Sequence, residues 1–178
     1  MAYITPAELA ERPGAREIAQ VASLQHQMVT DDALMDATLR GTDRSSWSPE
    51  EQAAADIALA RVLDATAEAG ALIDGYLVQR GYELPLQLPP ASTGKSVLTA
   101  WARSITRYLL NKDRVTDANK DPVARDYQDA LKLLGLLAQG KYSLGVADPE
   151  ASAQAGSTDV RFAGDSPVFS RRQLGAFR

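Results

Sequence analysis

The chain predicts an all-α fold: a helical bundle with long antiparallel helices and an extended C-terminal tail that carries short extended or strand segments. Three observations predict it. Apolar residues recur at helical spacing over residues 49–80, 93–112 and 122–139. Capping, proline and glycine signals bracket those runs. No alternation long enough for a sheet core is present.

Taken in order, Thr5-Pro6-Ala7-Glu8 is a T-x-x-E capping box with proline at the first helical position. It predicts a short helix over about residues 6–11, ended by Pro13-Gly14. A second helix is expected from Ala15 to Leu24, with Ile18 and Val21 facing inward. Thr30, Asp31 and Asp32 announce a third that reaches Leu39 and stops at Gly41. Gly41 to Trp47 then reads as a polar loop.

The central stretch is clearer. Ser48-Pro49-Glu50-Glu51 stacks an N-cap, an N1 proline and a capping-box glutamate. From there Ile57, Leu59, Val62, Leu63, Ala69, Leu72, Ile73, Tyr76 and Leu77 keep a helical period as far as Gly81. At ~1.5 Å per residue that is a rod of roughly 45–50 Å, with Gly70 and Gly75 as points of bending. Prolines 85, 89 and 90 keep the next segment extended. A helix from Thr93 to Lys112 follows, with Leu98, Trp101, Ala102, Ile105, Tyr108 and Leu109 on one stripe. The last begins at the cap Asp121-Pro122, stops at Gly140, and buries Val123, Tyr127, Ala130, Leu131, Leu134, Leu137 and Ala138.

The 178 residues suit one domain with a tail, organised as 1–47 (short helices and a variable loop), 48–145 (helical body) and 146–178 (linker and interaction tail). Aromatics are only 6%, so the core must be built from Ala, Leu, Ile and Val. Zero cysteines exclude disulfides and thiolate metal sites, and one histidine, His26, excludes a multi-His zinc site. No cofactor, metal or catalytic set is therefore expected. No apolar run approaches the ~20 residues of a membrane span. The start lacks the basic and apolar regions of a signal peptide, so a protein made and used in a cytoplasm is expected.

Charge is uneven. The net of −4 hides −3 over residues 1–47, −2 over 48–140 and +1 over 141–178. Residues 166–178 contain three arginines and no acid, a local +3. That tail lies beyond the Ala/Ser/Gly/Asp-rich stretch 147–159, which has linker composition. Its apolar Val168, Phe169, Leu174 and Phe177 and its basic Arg171 and Arg172 are the candidate partner-binding residues. Folding back onto the chain's own bundle and reaching a neighbouring subunit both suit such a segment. A strand that adds to an exposed sheet edge is one way to reach out.

Other motifs yield less. Gly94-Lys95-Ser96 has a P-loop ending, but the required earlier glycine is Pro89, so it reads as a helix start. His26 has no orienting partner nearby and reads as a surface or partly packed residue. Asp31 and Asp32 are adjacent and do not share a helix face. Arg103 and Arg107, at i,i+4, suit three roles: a DNA-facing basic patch, a solvated face, or salt bridges to a neighbouring helix. The net negative charge argues against a generic nucleic-acid binder, so the DNA-binding or packaging-associated module is the alternative.

The order of several short stretches resembles the Mu-like bacteriophage head–tail connector (adaptor, or head-completion) family. They are Met1-Ala2-Tyr3-Ile4-Thr5-Pro6-Ala7-Glu8-Leu9, Ala71-Leu72-Ile73-Asp74-Gly75-Tyr76-Leu77, and Arg80-Gly81-Tyr82-Glu83-Leu84-Pro85-Leu86. Ala102-Arg103 through Arg107-Tyr108-Leu109-Leu110, then Tyr127 with Ala130-Leu131, Gly140-Lys141, Leu144-Gly145 and Phe169-Ser170-Arg171 continue the series. Gly81 departs from the family's usual Arg-Tyr pairing, and residues 25–47 match least. The resemblance implies a helical protein that forms a ring, a dodecamer, below the portal of a DNA-filled capsid. It implies a location in the virion neck after assembly in the host cytoplasm. It also implies partners: the portal protein, a stopper or tail-completion protein, and DNA passing without specific contact. Acidity then has a use, since a negatively charged channel wall lets DNA slide.

Overall fold

The computed structural model describes residues 3–145 apart from Gln25, Pro90 and Thr116. Thr5 opens the fold. Its hydroxyl accepts from the Glu8 amide at 3.3 Å and the Glu8 carboxylate accepts from the Thr5 amide at 2.7 Å, which starts α1 (Pro6–Leu9). The helix is shorter than expected. Residues Ala10–Gly14 form a wider π-type turn in which Arg12 leaves the helical region (φ −147°, ψ 121°). Pro13 accounts for that, because a proline disfavours the α conformation in the residue before it.

Helix α2 (Ala15–Ala22) buries Ile18 and Val21 and ends two residues before the expected Leu24. Ser23 turns the chain there: its hydroxyl donates to the Ala19 carbonyl at 2.6 Å and accepts from the Val29 amide at 3.1 Å. Asp31 caps α3 (Asp32–Arg40), accepting from the Ala33 amide at 2.8 Å, and Gly41 stops it in the left-handed region at φ 66°. A β-carbon at that angle would be strained, so the stop signal in the sequence has a direct cause.

The second capping box, Ser48 with Glu51, starts α4 (Pro49–Arg80), an unbroken run of 32 residues and roughly 48 Å. Gly70 and Gly75 do not interrupt it. Gly81, at φ 96°, ends it, and buried Tyr82 returns its amide to the Leu77 carbonyl at 3.0 Å. The extended connector that follows buries Leu86, and Ser92 then caps α5 (Thr93–Asn111). Asp121 caps α6 (Pro122–Ala138), accepting from the amides of Val123 and Ala124.

The long helices run up, down and up. Tyr108 late in α5 stacks on Tyr127 early in α6, with ring centroids 4.0 Å apart and planes 5° from parallel. At the opposite end, Trp101 meets Tyr142 beyond the last turn of α6, centroid to centroid 5.6 Å. Arg80 at the end of α4 lies against Gly140 at the end of α6, so those two helices point the same way. One buried cluster runs from Ile4 to Leu144 and includes residues of every helix. Its centre is Val62, Ile73 and Leu77 of α4, Leu98 and Ile105 of α5, and Leu134 and Leu137 of α6. The fold is all-α among the described residues, as the periodicity predicts. The expected strand segments of the tail lie outside them.

The glycine of Gly94-Lys95-Ser96 is needed for packing. A β-carbon at Gly94 would run into the backbone carbonyl of Leu144, which cannot swing aside as a side-chain tip can. Gly94→Ala should therefore cost about 1–3 kcal/mol through overpacking. A lowered Tm with a shifted Trp101 emission, as the Tyr142 contact loosens, would be the observed result.

Candidate interaction surface

Two surfaces of the body and the C-terminal tail are the candidates for interaction. The first holds the two arginines of α5, and they part company. Arg107 is bidentate to Glu17 of α2, at 2.7 Å from Nε to Oε1 and 3.0 Å from Nη2 to Oε2. Its Nη1 lies 3.6 Å from an Asp126 oxygen of α6. It thus clamps three helices with a guanidinium about one-quarter exposed, the salt-bridge role among those its spacing allows.

Arg103 instead shares an open groove of about 410 Å³ with Arg12, Lys95, Ser96, Thr99 and Glu8. Arg12, Lys95 and Arg103 form no ion pair among the described residues, and Arg103 Nε is buried without a hydrogen-bond partner. The one acid of the groove, Glu8, is occupied by the Thr5 amide and hydroxyl. Distance along the sequence hid this grouping: Arg12, which leaves the helical region before Pro13, lines one groove with Lys95 and Arg103 of α5.

The second surface is the solvent face of α4. Its buried side is mostly small: Ala55, Ala58, Ala65, Ala69 and Gly70 allow close helix approach around Val62, Ile73 and Leu77. Opposite them, Ala53, Ile57, Ala60, Ala67, Ala71 and Val78 lie exposed. At about 100° per residue these six fall within roughly 40° of one line. Ile57 is 37% exposed and Val78 58%, and Leu63, about 80° to one side of this line, is 48% exposed. Ile57 and Leu63, which keep the helical period read from the sequence, thus fall outside the buried stripe that Val62, Ile73 and Leu77 form with small neighbours. The charged residues on this side are acids: Glu50, Asp56, Asp64 and Glu68. Asp56 is matched by Arg44. The helix's own Arg61 is turned away, with its guanidinium donating to the carbonyls of Ala22 and Ser23 at 2.8 and 3.2 Å.

The third candidate is the tail. Val168, Phe169, Arg171, Arg172, Leu174 and Phe177 lie outside the described residues.

The remaining polar groups tie the bundle together. Tyr3 donates to Asp74 of α4 while its carbonyl accepts from Thr99 of α5 at 3.0 Å. Burial, then the bond to Asp74, raises the Tyr3 phenol well above the ordinary tyrosine value, so it stays a donor. Trp47 Nε1 donates to Asp31 at 2.7 Å. That bond, with the Ala33 amide next, lowers the Asp31 carboxyl below the ordinary range. A lowered folded-state pKa gives stability that is present above the unfolded value and lost as pH falls through the folded one. Trp47 emission should consequently change in an acid transition centred below the ordinary aspartate value, and Asp31→Asn should abolish it.

His26 is exposed in the turn after α2, and no cluster of metal-ligating side chains occurs among the described residues. No helix among them is long and apolar enough to cross a membrane. The described residues thus form an all-α body with a basic groove and an acidic-apolar helix face. Residues 3–162 match the family described as Bacteriophage Mu, Gp36, and the chain belongs to that family. It is therefore a Mu-like bacteriophage protein. It is 35% identical over 118 residues to Mu-like prophage FluMu protein gp36 of Haemophilus influenzae, covering 66% of this chain and 74% of that one. It is 33% identical over 112 residues to Gene product J of Escherichia phage Mu, covering 62% and 72%. No solved structure matches.

Proposed function

We propose that the chain is a structural protein of the phage neck: a head–tail adaptor that assembles as a ring, a dodecamer, on the portal. It extends the DNA channel and attaches the stopper or tail-completion protein. It acts without catalysis, is made in the host cytoplasm and ends in the virion. Membership of the Mu Gp36 family over residues 3–162 carries this reading. The helical body, the unpaired docking faces and the basic-apolar tail composition support it. The test is to mix the purified chain with portal-bearing capsids and image the vertex. A ring of added density is expected; absence of binding to every phage component would overturn the proposal.

The groove of Arg12, Lys95 and Arg103 favours a second reading, a DNA-binding or packaging-associated module. Phosphate contacts there would give an affinity that falls steeply with salt. Arg103→Ala should then weaken DNA binding, whereas Arg107→Ala should act on stability because it frees Glu17 and Asp126. DNA binding that is insensitive to Arg103 would remove this reading.

A further inference from the structure

We propose that residues 166–178 dock lengthwise along the exposed face of α4. This deepens the adaptor proposal and rests on its assignment of the tail as the adhesive segment. Two patterns that arise independently fit each other. The α4 face is apolar at Ile57, Ala60, Ala67, Ala71 and Val78 and carries Asp64 and, at its edge, Glu68, which form no ion pair among the described residues. The segment is apolar at Val168, Phe169, Leu174 and Phe177, carries three arginines and contains no acid. Arg171 and Arg172 stand between its two apolar pairs, as Asp64 and Glu68 stand between the Ile57 and Val78 ends of the face.

Length agrees as well. Thirteen residues extend over at most roughly 43 Å. Helix α4 offers roughly 48 Å. The twenty residues from 146 to 165 span at most about 65–70 Å from Gly145, enough to reach this face on the same chain or on an adjacent copy. A row of alanines is suited to the role. It leaves a shallow track on either side of Asp64, and the carboxylates at its middle meet the arginines at the middle of the segment.

The chain contains no cysteine, so a single engineered pair reports proximity cleanly. In the full-length protein, Ala67→Cys with Leu174→Cys is oxidised mildly, beside a control that pairs Lys132→Cys on the exposed side of α6 with the same tail cysteine. The α4 pair should link about tenfold faster than the control, because docking raises the local concentration. The advantage should shrink with salt. Asp64→Lys with Glu68→Lys should remove it, and adding Arg171→Glu with Arg172→Glu should restore it. A link within one chain and a link between chains both support docking, and gel mobility tells which copy supplies the tail. Equal rates at the two sites would overturn the proposal. So would dimers of the lone Ala67→Cys variant forming as fast as the pair links, since a second copy's α4 would then be the occupant. Far-UV circular dichroism checks that each variant folds. The readout needs no capsid: linking without vertex binding sinks the adaptor role alone, and vertex binding without linking sinks this inference alone.

Discussion

Ile105→Ala should lower the Tm by roughly 6–12 °C, while Ile57→Ala should lower it by no more than about 1–2 °C. Both isoleucines sit in apolar helical stripes. Ile105 is fully buried, between α5 and its neighbours, in the same cluster as Leu98, Ile73 and Leu134. Its truncation removes apolar contacts and leaves a cavity that packed helices fill only partly, about 3 kcal/mol in similar sites. For a chain of 178 residues each kcal/mol moves the Tm by about 2–4 °C. Ile57 is 37% exposed, so its loss stays within about 0.5 kcal/mol of neutral. Thermal melts of the two variants at one low concentration decide the matter. Equal shifts would mean that Ile57, like Ile105, is packed within the helical body and not open to a weak, reversible docking contact.

That contrast marks what is legible without coordinates. Helix ends are written in local chemistry: Thr5, Ser48 and Asp121 satisfy orphan amides, and Gly41 and Gly81 take angles closed to other residues. Each of these boundaries needs only its immediate neighbours, so the sequence reads it well. Which side of a long helix faces inward depends instead on how closely its partners approach. On α4 both sides carry alanines and larger apolar residues, and the side that α5 and α6 cover is the one where Val62, Ile73 and Leu77 stand among small neighbours. The larger Ile57, Leu63 and Val78 are left outside. Arg103 and Arg107 show the same limit. Their spacing places them together on α5, yet one is clamped by Glu17, 90 positions away in the chain, and the other opens onto Arg12. Long-range partners of that kind leave no local signature.

Deletion of residues 160–178 should leave the bundle intact and cut the yield of joined particles by ~100-fold or more. The two halves of that expectation have separate causes. The buried cluster closes between Ile4 and Leu144, and its caps, the Arg107 clamp and the Tyr108–Tyr127 stack all lie within residues 3–145. Helicity should therefore match the full chain, and the Tm should fall by no more than the loss of a weak docking contact allows. Attachment is different under the proposed adaptor role, because a ring would multiply weak contacts. In such a ring each tail would bind modestly, tethering would lift overall avidity about 10²–10⁴-fold, and all of it would be lost at once when every copy lacked the segment. A milder change should act in proportion: Phe169→Ala with Phe177→Ala keeps the arginines and should retain part of the binding, whereas Arg171→Glu with Arg172→Glu should weaken it more at low salt than at high. Counting joined particles by electron microscopy across these three variants reads the order directly. Normal joining by the truncated chain would assign attachment to the body, with the groove of Arg12, Lys95 and Arg103 as the next surface to test.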